Sequence, residues 1–163
     1  MDIDRVKQIA RVFLTETYGI ELSIPVERNN RLRTTQGRYV IKHDDTPLRI
    51  ELSGQTLEYG TEGAIIGIVK HECIHYALHQ LGKPYQDGSA YFEAELKKHD
   101  APRTGTCFIG KLYTFTCDDC GQVGETWRKQ LTLTPEKYRT TCCRDTLTWI
   151  GEKIYNGSNE LLY

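Results

Sequence analysis

The sequence has no long apolar run; its longest purely hydrophobic stretches cover only a few positions. A helix that crosses a bilayer needs about 20 such residues, so no membrane span is expected. The first residues also lack the apolar centre of a secretory signal and read instead as an amphipathic pattern. A cytoplasmic location without membrane partners is the expectation. An excess of one charge is missing too. With 21 basic and 22 acidic side chains the formal net charge is -1, which removes any molecule-wide field favouring nucleic acid or an anionic lipid surface. Nucleic-acid contact, if there is any, must be local. Internal repeats, low-complexity tracts and long linkers are absent as well.

What remains is an ordinary globular composition, 26% charged and 39% hydrophobic over 163 residues. That length fits one compact domain, or one domain with a small appendage, and excludes two large ones. There are six cysteines. In a reducing compartment thiols more often bind metal or lie buried than form disulfides, and Cys117, Cys120, Cys142 and Cys143 gather in the last third of the chain.

Ile3, Val6, Ile9, Ala10, Phe13 and Leu14 recur at three- and four-residue spacing, predicting a packing helix over 3–18 closed by Gly19. From Glu21 to Leu52 short β-prone pieces, Arg38–Lys42 and Leu48–Leu52, alternate with polar turns and predict a small antiparallel sheet. Glu62 to Leu81 carries Ile65, Ile66, Ile68, Val69, Ile74, Ala77 and Leu78 before the stop signal Gly82 and Pro84, and reads as a buried central helix. A further helix is expected from about Ser89 to His99, closed by Ala101-Pro102. Beyond Arg103 the pattern turns to alternation, as in Tyr113, Phe115, Cys117 and in Trp127, Lys129, Leu131, Leu133, and predicts short strands. They are too few to hold a core alone, so a structural metal would be useful there.

His71-Glu72-Cys73-Ile74-His75 has the spacing His-Glu-x-x-His. Residues four apart on a helix share a face, so both imidazoles can reach one Zn²⁺, while Glu72 beside them can act on a metal-bound water without ligating. Two solvated histidines on an exposed helix would give the same letters. The motif interrupts an apolar helix, however, where unpartnered histidines and a glutamate are costly. His79 continues the stripe but lies about 12 Å from His71 along the axis, too far to share an ion. The third ligand must follow the Gly82 turn. Asp87 is the nearest candidate and the one taken here, ahead of Glu93, Glu95 and His99; as alternatives, Asp87 could cap the next helix and the glutamates could be solvated. Cys73 points away from the histidines and reads as a core residue, and Tyr76 either packs or donates to a developing oxyanion.

Cys117-Asp-Asp-Cys120-Gly has the spacing of a zinc knuckle. Cys142 and Cys143 would complete the set, although adjacent strand residues face opposite ways and both can ligate only if the backbone turns. Cys107 is a more distant substitute. An ordinary small sheet with buried thiols is the alternative.

Taken together, these residues resemble the SprT-like family of zinc metalloproteases. Arg31-Leu-Arg-Thr-Thr-x-Gly-Arg-Tyr39 is similar to its sheet signature. Ile68 to Tyr76, with His79, Gly82-Lys83 and Tyr85, is similar to its helix and following turn, and Tyr113-x-x-x-Cys-x-x-Cys-Gly121 with Lys137-Tyr-Arg139 to its ribbon. The resemblance implies an α+β fold: a zincin-like metalloprotease domain over residues 1–104, with a small antiparallel sheet and an active-site helix, then a zinc ribbon over 105–155. It also implies one catalytic and one structural Zn²⁺, and links to cleavage of DNA-bound or DNA-crosslinked proteins, as in the related Spartan-type proteases. Two positions differ from the family pattern: Asp87 stands where a third histidine is common, and Thr140 where the second Cys-x-x-Cys would begin.

The expected function is therefore zinc-dependent hydrolysis of peptide bonds in protein substrates, with DNA association resting on Arg28, Arg31, Arg33, Arg38 and Lys42 and on Trp127-Arg-Lys129. A solvated hairpin face would explain the same charges. A non-catalytic zinc-binding regulatory module is the alternative, and an intact Glu72 weighs against it. Hydrolysis of a small amide or ester is a third reading. The sequence specifies no oligomeric state.

Overall fold

A computed structural model describes residues 1–158 and the backbone of Leu161–Leu162. The chain is α+β, with five α-helices and two small sheets among the described residues. Helix α1 (Ile3–Tyr18) starts where the Asp2 carboxylate accepts the Arg5 N–H at 2.8 Å, and it ends at Gly19 with φ 66°. Only glycine adopts that left-handed turn without strain. Its inward face is Val6, Ala10 and Leu14, each with no exposed surface, and each large side chain so buried contributes about 1.5–3 kcal/mol.

The first sheet contains β1 (Val26–Asn29), β2 (Gly37–Ile41) and β3 (Pro47–Ser53) in the order β1-β3-β2. Strands β2 and β3 form the expected antiparallel hairpin, but β1 pairs with β3 in parallel, Val26 opposite Ile50. The sheet is thus mixed rather than antiparallel. Residues 30–36 carry the chain past the site of β3 to the far edge, so β3 comes back between its neighbours running with β1. Parallel neighbours need such a crossover, and alternation along one strand carries no information about its partner's direction.

Helix α2 (Gly54–Tyr59) follows directly, capped by the Ser53 hydroxyl, and Thr56 fastens it to the residue before β2 through a 2.9 Å bond to the Gln36 carbonyl. Helix α3 (Glu62–Gln80), capped by Thr61, is the central element, and α4 (Ala90–Lys98), capped by Ser89, crosses its second half. Val69, Cys73, Tyr76 and Ala77 of α3 pack with α1 and with Ile50 and Leu52 of β3. Ile74 and Leu78 pack with Phe92 and Leu96 of α4. Being covered on both sides, α3 shows no clean polar face, which is why it is apolar nearly all round.

The second sheet is antiparallel, in the order β5-β4-β6-β7, with β4 (Ile109–Cys117), β5 (Val123–Thr126), β6 (Leu147–Asn156) and β7 (Leu161–Leu162). At one end Ile109 joins the large core; at the other, Tyr113, Phe115 and Leu147 make a small cluster with Leu131 and Tyr138. Trp127 to Leu133 is not the expected strand. A bend is followed by α5 (Gln130–Leu133), where the Thr132 hydroxyl bonds the Lys129 carbonyl at 2.8 Å. Leu131 packs inward while Leu133 is 63% exposed, whereas a strand would have placed both on one face. No helix among the described residues is long and apolar enough to cross a membrane.

Candidate active site

His71, Glu72 and His75 lie on the middle of α3, at the bottom of a cleft of about 510 Å³. Strand β2 forms one wall and residues 102–108 the other. The histidine Nε2 atoms are 3.1 Å apart, and Asp87 Oδ1 lies 3.5 Å from the one and 3.6 Å from the other. His71, His75 and Asp87 therefore form a three-membered group that could hold a metal ion.

Each imidazole is fixed from behind. His71 Nδ1 donates to the Pro102 carbonyl at 2.8 Å and His75 Nδ1 to the Tyr85 carbonyl at 2.5 Å. A carbonyl only accepts, so both Nδ1 atoms carry the proton and both Nε2 atoms present lone pairs. Burial, then the neighbouring His71, pushes the His75 pKa down to about 4, which keeps it neutral at physiological pH. Phe92 stacks flat on His75, with centroids 4.1 Å apart at 21°, and meets His71 edge-on at 5.2 Å. Helix α4 thus fixes both ring planes.

Glu72 is 5% exposed, and burial pushes its pKa up to about 8 against the hydrogen bond from the Tyr39 N–H. It fits beside β2 because residue 37 is glycine. A β-carbon there would stand 3.0 Å from Glu72 Oε1 and 3.0 Å from Ile68 Cγ2. The Glu72 carboxylate does not belong to the donor group formed by its neighbours.

The other candidates for the third position are placed elsewhere. Ser89, not Asp87, caps α4. Glu93 pairs with Arg103 at 2.6 Å and Glu95 accepts from Tyr18 at 2.8 Å, while His99 Nε2 is buried 3.4 Å from Glu95 without a hydrogen-bond partner and outside the donor group. Asp87 itself accepts a hydrogen bond from the Thr104 hydroxyl on the same Oδ1 that faces the histidines. Cys73 is wholly buried in the core, and Tyr76 turns away from the cleft, its hydroxyl 2.9 Å from Ser23 Oγ. Cys107 lines the cleft rather than joining the other cysteines. Sequence reasoning missed Pro102, Tyr85, Phe92 and Thr104. The first two act through backbone carbonyls, which no residue type advertises; Phe92 could have been found one helical turn inside the predicted helix that follows the motif.

A second group forms in the other sheet, where the sulfurs of Cys117, Cys120, Cys142 and Cys143 lie within 4.8 Å of one another. Gly121, at φ 70°, closes the knuckle with a 2.9 Å bond from its N–H to the Cys117 carbonyl. Cys142 and Cys143 sit on a turn rather than a strand: the Thr140 N–H bonds the Asp145 carbonyl at 2.9 Å, and Arg144 takes φ 58°. The turn lets both thiols face the knuckle. A backbone N–H from Cys120 and the Thr140 hydroxyl hold the Cys117 thiol down at about 6, in the thiolate range at neutral pH.

The sequence model of the SprT-like family matches residues 6–102. The chain belongs to the SprT-like family. A protein named Protein SprT-like from Bacillus cereus is 42% identical over 97 residues, covering 56% of this chain and 61% of the relative. Its namesake from Bacillus subtilis is 38% identical over 122 residues, covering 71% and 76%. That from Bacillus velezensis is 31% identical over 149 residues, covering 88% and 95%. The chain thus spans less than two thirds of the Bacillus cereus relative and nearly all of the Bacillus velezensis one. No solved structure matches it. In this SprT-like chain the family match ends at Pro102, yet the cleft also uses Thr104, Gly105, Cys107 and Phe108.

Proposed function

We propose that this SprT-like chain is a zinc-dependent endopeptidase, with zinc held by His71, His75 and Asp87 and with Glu72 as general base. The observation that carries the reading is the convergence of two imidazole lone pairs and a carboxylate oxygen beside a buried glutamate outside their group. Lone pairs 3.1 Å apart repel unless a cation lies among them. A tetrahedral ion with bonds of about 2.0–2.1 Å would space its ligand atoms by about 3.3 Å. The three separations, 3.1, 3.5 and 3.6 Å, bracket that value. Two nitrogens and one carboxylate, with the cleft side open, are also a donor set suited to a catalytic rather than a closed structural zinc.

Zinc bound there would polarise a scissile carbonyl and acidify the attacking water. The rest falls to the chain. The Pro102 and Tyr85 carbonyls hold the imidazoles in the tautomer that leaves Nε2 free, and the Tyr39 N–H with the bare Gly37 backbone aims Glu72. A cation held beside it would draw Glu72 back to the carboxylate against the effect of burial, and in that form Glu72 takes the water's proton and hands it to the leaving amine. The cleft opens to solvent beside β2, which supports access by a segment of a protein substrate.

In the same reading the four cysteines hold a structural zinc, supported by sulfur positions such as the 3.5 Å between Cys120 and Cys142, close to the about 3.8 Å edge of a tetrahedral thiolate site. Residues 1–104 then act as the protease domain and 105–155 as a ribbon packed against it. Association with DNA or DNA-bound proteins draws support from the exposed Arg28, Arg31, Arg33 and Lys42. Arg38 contributes less, being tied to Glu51 at 2.6 Å. The test is Glu72→Gln, assayed on casein and on a DNA-bound protein with and without chelator. Zinc should stay bound while hydrolysis falls at least a hundredfold, the range of general-base loss; unchanged hydrolysis by the zinc-loaded variant would overturn the assignment.

A further inference from the structure

His79, one turn beyond His75, is neither a ligand nor a solvated residue. Its Nε2 faces Asp45 Oδ2 at 3.2 Å and its Nδ1 meets the Tyr39 hydroxyl at 2.6 Å. One proton arrangement satisfies both contacts: Nε2–H donates to the carboxylate and the Tyr39 O–H donates to Nδ1. Burial raises the Tyr39 pKa, so its phenol keeps that proton. The His79 ring stacks on Tyr85, with centroids 4.4 Å apart at 23°, and the Tyr85 hydroxyl donates to the other oxygen of Asp45 at 2.9 Å. Asp45 sits at the tip of the β2–β3 turn, at φ 62°, where Lys42 and Thr46 close the loop. Thus one carboxylate joins three parts of the chain: the hairpin tip, the end of α3 and the segment after Gly82.

That segment carries the Tyr85 carbonyl, which holds His75 Nδ1 at 2.5 Å. Tyr85 is two residues before Asp87, so whatever fixes it sets two of the three converging donors. We propose that Asp45 and His79 form a latch that positions Tyr85, so that hairpin and post-helix segment are locked together and His75 is oriented for the metal. Asp45 and His79 are positioning residues; neither touches substrate or ion. The inference rests on the metal site of the proposed function and deepens it by naming what holds that site from outside.

The variants separate the latch from general stability. Tyr85→Phe keeps the ring, the stack and the carbonyl but deletes the O–H that reaches Asp45. Asp45→Gly deletes the carboxylate at a position where glycine takes the backbone angle freely. Asp45→Asn keeps the turn, can accept from Tyr85 through its oxygen and can donate to His79 through its amide. Zn²⁺ affinity of the full chain is measured by competition with a chromophoric chelator, with His71→Ala assigning which binding class belongs to this site. Tyr85→Phe and Asp45→Gly should each weaken that class about tenfold, the lower end for residues behind metal ligands, without changing the other class. Asp45→Asn, with His79 then accepting at Nε2 and donating from Nδ1–H to the Tyr39 oxygen, should recover most of the affinity. Wild-type affinity in both Tyr85→Phe and Asp45→Gly would overturn the latch and leave the metal site standing. Equal zinc stoichiometry in the wild type and His71→Ala would instead overturn the metal site, and the latch with it.

Discussion

A missing β-carbon decides whether Glu72 can lie against β2. In Gly37→Ala the new carbon would press on Glu72 Oε1 and Ile68 Cγ2, both 3.0 Å away, and Ile68 belongs to a packed core that yields little. Overpacking of this kind costs about 1–3 kcal/mol, and a general base moved by a fraction of an ångström loses much of its effect. Gly37→Ala should stay folded and keep its zinc while hydrolysis drops at least about tenfold; undiminished turnover would mean that Glu72 has room to spare. Glu51 provides a residue-scale prediction on stability. It is 2% exposed, and although burial raises its pKa, hydrogen bonds from Arg38, Asn29 and Arg49 outweigh that and hold it at about 2. The folded value lies below the ordinary 4.5, so the ionised carboxylate stabilises the fold fully above that pH and progressively less as pH falls from 4.5 towards 2. The thermal midpoint should fall across that window, and Glu51→Gln should flatten the fall; an equal slope in both proteins would remove Glu51 as its source.

The elements differ in how much of them a reader of the sequence could have drawn. Helices α1, α3 and α4 were legible to within a residue or two, because Asp2, Thr61 and Ser89 cap their starts and Gly19 and Gly82 turn the chain after them. The hairpin β2–β3 was legible from its paired β-prone runs. The parallel partner of β3 was not, since Val26–Asn29 is four residues whose neighbour is fixed by a crossover. Helix α5 was misread because four residues fit either period. Asp87 could be named from the chain reversal at Gly82, but the Pro102 carbonyl and the Thr104 hydroxyl reach the site only through folding of the segment after α4. Packing of α1 on α3 leads to a direct test: Leu14, with no exposed surface, should cost about 2–5 kcal/mol as alanine, read from chemical denaturation. A loss below 1 kcal/mol would mean the helix is not part of the cooperative core. In the second sheet, Ile109 is anchored in that core while Cys117 is held by the cysteine group. Cys117→Ser should therefore expose the amides near residue 117 to hydrogen exchange first and leave those near Ile109 protected; uniform loss along β4, or none, would contradict this.

At the scale of the whole molecule, one candidate metal group is built on α3 and the other at the end of β4. Helix α3, held by α1, the first sheet and α4, supplies two histidines and Glu72. Residues 102–108, which lead into the second sheet, complete the cleft wall. The span shared with the SprT-like family is thus most of the site, and the part beyond Pro102 finishes it. The most direct test of the account is zinc counted per chain by native mass spectrometry in the wild type, His71→Ala and Cys117→Ser. The account expects two ions in the wild type and one in each variant, one ion for each group, with the ion left in Cys117→Ser lost when Asp87→Ala is added. A single ion in the wild type that survives His71→Ala and disappears in Cys117→Ser would contradict it.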